Sequence, residues 1–279
     1  LLSYQHSYHA GNFADVHKHL TLSLILESLN KKPKPWSYFE THAGTALYDL
    51  TAENATKTAE FKQGIAKLQG MELPDLFDPY LQVVRQLNDS GNPCDKYPGS
   101  PWFANQAARE IDKISLMELH PGEYQQLKTV FSRHSAVAVH HRDGYEGVLS
   151  LLPPKPNRGL VLIDPSYEVK SEYVQVAKFI DKAYQRWSNG CFAIWYPLLK
   201  AGNHREMLRK IKLSGIRKVL QAEFYVKSAA DERMYGSGML LINPPWHLEQ
   251  QLQQLSESLY LHLAENSAAR PEIQWLVPE

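Results

Sequence analysis

Two segments of the chain, GLVLI at 159–163 and CFAIWY at 191–196, are apolar or aromatic at every position. A strand with one face in water alternates apolar and polar residues, whereas a strand apolar throughout needs cover on both faces. That requirement points to an α/β domain, with helices packed on both sides of a mostly parallel sheet. Seven segments read as strands: 36–41, 114–119, 136–140, 159–164, 191–196, 218–226 and 239–243. Helical stretches separate them, so a seven-stranded, mostly parallel sheet is expected. At 279 residues, 43% of them hydrophobic, the chain buries enough surface to fold without disulfides or a structural metal. Its two cysteines, Cys94 and Cys191, lack CxxC spacing and suit a reducing compartment.

More than seventy residues separate the first two strands, too many for one crossover. Residues 47–97 read as an inserted helical subdomain, with helical spacing in Phe61, Ile65 and Leu68 and again in Tyr80, Val83, Val84 and Leu87. Ahead of the insert, 1–46 holds a polar, aromatic arm, an amphipathic helix over 14–29 and the first strand. Residues 98–279 complete the core. In YPGSP, Ser100 followed by Pro101 predicts a helix N-cap with proline at the first helical position.

Thirty basic residues balance thirty acidic ones, which excludes a uniformly basic nucleic-acid coat. A local basic face is not excluded: residues 200–218 carry seven Lys or Arg against Glu206 alone. On charge alone this stretch is a solvated helix face; beside a cleft it would meet phosphates. No apolar run approaches the roughly 20 residues that span a bilayer and no signal peptide is recognisable, so a cytoplasmic location is expected. The chain begins with Leu rather than Met.

The most informative local motif is LVLIDPSYE at 160–168, an apolar strand ending in Asp164, Pro165, Ser166 and Tyr167. It resembles the (Asp/Asn)-Pro-Pro-aromatic motif of amino-group methyltransferases. An adenine N6 amine is a weak nucleophile because its lone pair is delocalised into the ring. Two acceptors around its hydrogens draw the nitrogen toward a reactive, more tetrahedral shape. Asp164 offers a carboxylate and Pro165 a carbonyl, while the proline stiffens the turn and an aromatic ring at Tyr167 would stack on the base. A second copy, Asn243, Pro244, Pro245 and Trp246, matches the letters better but ends the seventh strand. Ligands in open α/β sheets sit at the strand carboxyl ends near the topological switch point, here between the first and fourth strands. Asp164 is therefore the expected acceptor and NPPW a turn. Weaker signals sit at the other strand ends: Gly44 after the first, Glu118 placed for ribose hydroxyls at the second, Asp143 and Gly144 placed for an adenine edge after the third.

Taken together, SYQHSYHAGNFADVHKH at 3–19, the THAG loop, YPGSP, MELHP, RDGYE, DPSYE, INPPW and the final WLVPE resemble the RlmJ-type 23S rRNA adenine-N6 methyltransferases along essentially the whole chain. The resemblance implies a class I, Rossmann-like methyltransferase with a small helical insertion, acting as a monomer on 23S rRNA before ribosomal proteins cover it. It implies S-adenosyl-L-methionine as cofactor, leaving as S-adenosyl-L-homocysteine, contacted by His19, His42, Ser100, Glu118, Asp143, Gly144 and Asp164. Asp164 would also be the catalytic acceptor, with Tyr4, His6 and Lys18 engaging RNA or completing the site. Family members usually carry DPPY, so Ser166 is a departure that implies slower turnover.

The clustered histidines His6, His9, His17 and His19 raise the question of a metal. On a helix, His17 and His19 at i and i+2 point to different faces, and no HExxH pattern accompanies them, so no metal is expected. Two other activities share parts of the pattern: DNA adenine-N6 methylation, because DPxY does not distinguish the two nucleic acids, and non-catalytic RNA binding with a decayed active loop. Methylation of a protein glutamine also uses an NPPY-like motif, but Asp164 and the basic 200–218 stretch favour nucleic acid.

Overall fold

In the computed structural model, described for residues 5–88, 94–231, 233–265 and 268–279, the chain opens with a short helical turn at His6–Tyr8 and then α1 (Phe13–Asn30). The Asn12 side chain accepts from the backbone N–H groups of Ala14 and Asp15, capping α1. The sheet begins with β1 (Ser37–Glu40). The insert follows: β2 (Leu47–Asp49), α2 (Glu53–Thr58), α3 (Ile65–Leu68), α4 (Asp78–Leu87) and β3 (Lys96–Pro98). The core resumes with α5 (Ser100–Ala107), β4 (Lys113–Glu118), α6 (Pro121–Val130), β5 (Val137–His141), α7 (Gly144–Leu151), β6 (Gly159–Ile163), α8 (Ser171–Arg186) and β7 (Cys191–Leu198). It closes with α9 (His204–Leu213), β8 (Val219–Tyr225), β9 (Gly236–Ile242), α10 (Leu248–Leu263) and β10 (Glu272–Val277).

The main sheet runs in the order β10-β8-β9-β7-β6-β1-β4-β5. Strands β5, β4, β1, β6 and β7 are mutually parallel, β9 is antiparallel to both β7 and β8, and β10 is antiparallel to β8. All seven expected strands form, and β10 is an eighth. It escapes a pattern search because it is an edge strand with largely exposed or half-buried residues, so burial imposes no clean period on it. By contrast, every residue of β6 and of β9 is buried, as expected for strands covered on both faces.

Three local expectations are corrected. Helix α1 is not amphipathic: residues 14–26 are all buried, because α4 of the insert and α10 cover the face that would otherwise meet solvent. Ser100 is the first residue of α5 rather than its cap, and its hydroxyl donates to Glu40 instead of accepting from the N–H groups of the first turn. The insert is not wholly helical either, since β2 and β3 pair antiparallel at its base. Ile65, Leu68, Phe77 and Tyr80 of the insert join the same apolar cluster as α1 and the sheet. Residues 89–93 of the segment expected as the insert lie outside the described residues.

Gly159 at the start of β6 shows how closely the sheet is built. Its φ is 154°, and a Cβ there would lie 1.8 Å from the Ser37 carbonyl oxygen on β1. Gly159→Ala is expected to destabilise the fold by about 2–4 kcal/mol, because backbone on both strands would have to move. The measurement is urea unfolding, where the midpoint falls and the slope stays constant.

Candidate active site

The carboxyl ends of β1, β4, β5, β6 and β7 contribute to one cavity of about 980 Å³. It lies at the switch point: from β1 the chain builds outward through β4 and β5, then returns to the other side of β1 as β6. Every candidate residue among the described ones lines it; Tyr4 lies outside the described residues.

At the centre is a buried chain of charges. Asp164, immediately after β6, accepts from Lys18 Nζ at 2.6 Å, and Lys18 also reaches Asp15 Oδ1 at 3.0 Å. The i,i+3 spacing on α1 puts Asp15 and Lys18 on one face. Asp15 Oδ2 accepts from the Gly11 N–H at 2.9 Å and pairs with His6 Nε2 at 2.8 Å. Lys18 is 4% exposed and Asp15 2%. Burial alone would lower the Lys18 pKa, but the Asp15 and Asp164 carboxylates outweigh it and raise it above the usual ammonium range. Burial would raise that of Asp15, but His6 and Lys18 hold it well below the ordinary value.

Around this pair, the loops after successive strands are tied together. The Glu118 carboxylate accepts from the Gly44 N–H at 2.8 Å and the His120 N–H at 2.6 Å, joining the loops after β1 and β4. Asp143 caps α7 by accepting from the Glu146 N–H at 2.9 Å. A Cβ on Gly144 would sit 1.9 Å from the Thr41 carbonyl oxygen. His42 Nδ1 is hydrogen-bonded to Thr41 Oγ1 at 2.8 Å, and burial lowers its pKa to about 4. His19 Nδ1 is hydrogen-bonded to the Tyr97 hydroxyl at 2.9 Å, burial holds its pKa well below the ordinary value, and its buried Nε2 has no protein partner.

Just beyond Ser166, Glu172 Oε2 at the start of α8 accepts from the Val169 N–H at 3.2 Å, which restrains the loop past the position where relatives of the motif carry a second proline. Tyr167, expected as a stacking ring, lines the cavity and is tied into the wall behind it. It is 6% exposed, its hydroxyl donates to the Trp195 carbonyl at 2.7 Å, and its ring packs 4.4 Å from Tyr173. With φ at 55° it anchors the loop from inside.

Asn243 of NPPW sits at the opposite end of the sheet. Because β9 is antiparallel to β7, its carboxyl end meets the amino end of β7, and Asn243 Nδ2 donates to the Ser188 and Gly190 carbonyls at 2.8 Å each. His17 and His19 part company as their helical spacing requires, His17 Nδ1 bonding to Ser237 Oγ at 3.0 Å. Among the described residues, no three His, Cys, Asp or Glu side chains are grouped to hold a metal ion. Nor is any helix among them long and apolar enough to cross a membrane.

Sequence reading passes over Glu40 at the end of β1. It is fully buried, with the Tyr38 hydroxyl donating to Oε2 at 2.8 Å and the Ser100 hydroxyl to Oε1. Burial pushes its carboxyl up to about 8. The visible signal is an acid inside a strand whose other residues are buried.

A parallel sheet reversing at β1 and β6, with one antiparallel strand beside β7 and an Asp-Pro loop at the switch point, defines a class I methyltransferase. The model of the family described as "Ribosomal RNA large subunit methyltransferase D, RlmJ" matches residues 33–277. The chain is 43% identical to "Ribosomal RNA large subunit methyltransferase J" of Escherichia coli (strain K12) and 41% identical to the protein of that name from Haemophilus influenzae, each over the full length of both chains. A crystal structure of protein LPL1258 from Legionella pneumophila superposes with a TM-score of 0.88 at 38% identity, over 96% of this chain and 98% of that one. The chain belongs to the RlmJ family of ribosomal RNA large subunit methyltransferases.

The buried histidines set the acid limb of stability. His42, lowered to about 4, and His17, lowered by burial to about 3, bind protons near their ordinary value of 6.5 only when the chain unfolds. Between pH 6.5 and 4 the unfolded state therefore holds more protons, and stability falls as pH falls, by up to about 1.4 kcal/mol per pH unit per group. Glu40 has the opposite sign: its raised pKa makes stability fall as pH rises from 4.5 to about 8. Denaturant titrations across these windows should show a shallower acid slope for His42→Gln and a flatter alkaline slope for Glu40→Gln.

Proposed function

We propose that this protein transfers a methyl group from S-adenosyl-L-methionine to N6 of a specific adenosine in 23S rRNA, in the cytoplasm, as a monomer, on RNA not yet covered by ribosomal proteins. The observation that carries the reading is Asp164, held in the cavity by Lys18 at the switch point of the sheet. The names of the relatives supply the RNA.

The cavity's lining suits the cofactor. His19 brings a buried nitrogen that has no protein partner, Gly144 has no room for a side chain, and Glu118 and Asp143 stand at the ends of neighbouring strands as polar acceptors. His19, His42, Ser100, Glu118, Asp143 and Gly144 would hold it, with Asp164 bordering the methyl. When bound, S-adenosylmethionine supplies a methyl group activated by its sulfonium charge. The chain's own task is alignment. Lys18 occupies Asp164 Oδ2, so Oδ1 is the oxygen offered to the amine hydrogens, with the Pro165 carbonyl as second acceptor. Asp164 Oδ1 takes the proton that the amine sheds, and no finely tuned base is needed. His6 and Lys18, joined through Asp15, fix the carboxylate's orientation, and Tyr4 engages the RNA. Tyr167 holds the loop that carries Asp164 and Pro165.

The reading is tested with methyl-labelled S-adenosylmethionine, protein-free 23S rRNA and, in parallel, duplex DNA, followed by mapping of N6-methyladenosine. Incorporation at one adenosine of the RNA is expected, falling by roughly 100-fold or more in Asp164→Ala. Equal incorporation by the variant refutes the role of Asp164, and preference for DNA refutes the substrate.

A further inference from the structure

Tyr167 lines the cavity but is 6% exposed, with its ring against Tyr173, and β7 adds a second flat surface to the same cavity. Trp195 is half-buried and lines the cavity. Lys18 Nζ lies 5.8 Å from the centre of its ring, so the indole borders the Lys18–Asp164 pair. The Tyr167 ring is 6.0 Å away and inclined at 55°, which leaves the two rings unable to act as parallel jaws.

The indole is also held from behind. Trp195 Nε1 donates to Ser237 Oγ at 3.0 Å, and Ser237 Oγ bonds to His17 Nδ1 at 3.0 Å. Ser237 and His17 are both fully buried. Burial keeps the imidazole neutral, with its pKa near 3. The chain joins three elements, β7, β9 and α1, and ends at a ring whose backbone carbonyl already carries Tyr167. A wall residue serving only as packing would not need its orientation set by a buried polar chain, since polar groups are costly to bury unless each bond is made.

We infer that Trp195 is the platform on which the target nucleobase lies, and that Ser237 and His17 are positioning residues that set the angle of the indole beside Asp164. The inference rests on the nucleic-acid methyltransferase reading above. An aromatic platform contributes binding through its π face and tolerates another flat ring, whereas an aliphatic side chain of similar bulk does not replace it. The platform thus contributes to recognition of the base rather than to the cofactor pocket.

The experiment compares wild type, Trp195→Phe, Trp195→Leu and Ser237→Ala in steady-state methylation of protein-free 23S rRNA, with calorimetric binding of S-adenosylhomocysteine to each. Activity of the wild type establishes the reading on which the inference rests; an inactive wild type overturns that reading. With wild type active, Trp195→Leu should raise KM for RNA or lower kcat/KM by roughly 10- to 100-fold. Trp195→Phe should stay within a few-fold of wild type, and Ser237→Ala should fall between them. Affinity for S-adenosylhomocysteine should be unchanged throughout, which also reports that each variant is folded. Equal kinetics for the Leu and Phe variants, or a loss in cofactor affinity that matches the loss in activity, overturns the inference.

Discussion

The ion pair between Lys18 and Asp164 is the constraint on which the site depends. An ammonium group taken out of water is tolerable only if carboxylates and hydrogen bonds replace its hydration. Lys18 meets that condition with Asp164 on one side and Asp15 on the other, and Asp15 is in turn satisfied by Gly11 and His6. The same bonds that make burial of the lysine possible fix α1 against the end of β6. A helix preceding the whole sheet in sequence therefore becomes one wall of a cavity formed by strand ends far along the chain.

That arrangement requires backbones to approach one another closely. Gly144 presses on the Thr41 carbonyl, and Gly44, with φ at 61°, leaves no room for a Cβ because it would meet the Tyr48 hydroxyl at 2.5 Å. Glu118 then bridges the loops after β1 and β4 with two backbone hydrogen bonds. Loops held in this way have little freedom left to lose when a ligand arrives, and positioning reactants is the larger part of a methyl transfer that needs no metal.

Much of this was legible in the chain itself, and the limits are physical. Buried strands such as GLVLI reveal themselves because burial on two faces excludes polar residues, and Asp164, Glu118 and Asp143 are readable because strand ends are where a parallel sheet offers polar groups to a ligand. The edge strand β10 has no such constraint and leaves no pattern. The burial of α1 depends on α4 and α10, elements remote in sequence, so its local pattern predicts one wet face that the tertiary structure covers. Glu40 and Trp195 lie within strands, where a reader expects packing, and their roles depend on partners at Ser100 and Ser237 that only the fold brings near.

The two Asp/Asn-Pro loops show why topology has to arbitrate between motifs. NPPW is the better match in letters and also follows a buried strand, yet its strand is antiparallel to β7, so the same local chain geometry delivers it to the amino end of the parallel strands. There Trp246 is 84% exposed and Asn243 spends its side-chain amide on the carbonyls of Ser188 and Gly190. An acceptor useful for catalysis must keep an oxygen available in a cavity, and the Asn243 amide, donating to two backbone groups before β7, is committed to closing a turn. DPSY departs from the motif at one residue but ends a strand at the switch point. Direction of the strand, rather than closeness to a consensus, determines which of the two loops meets the cavity.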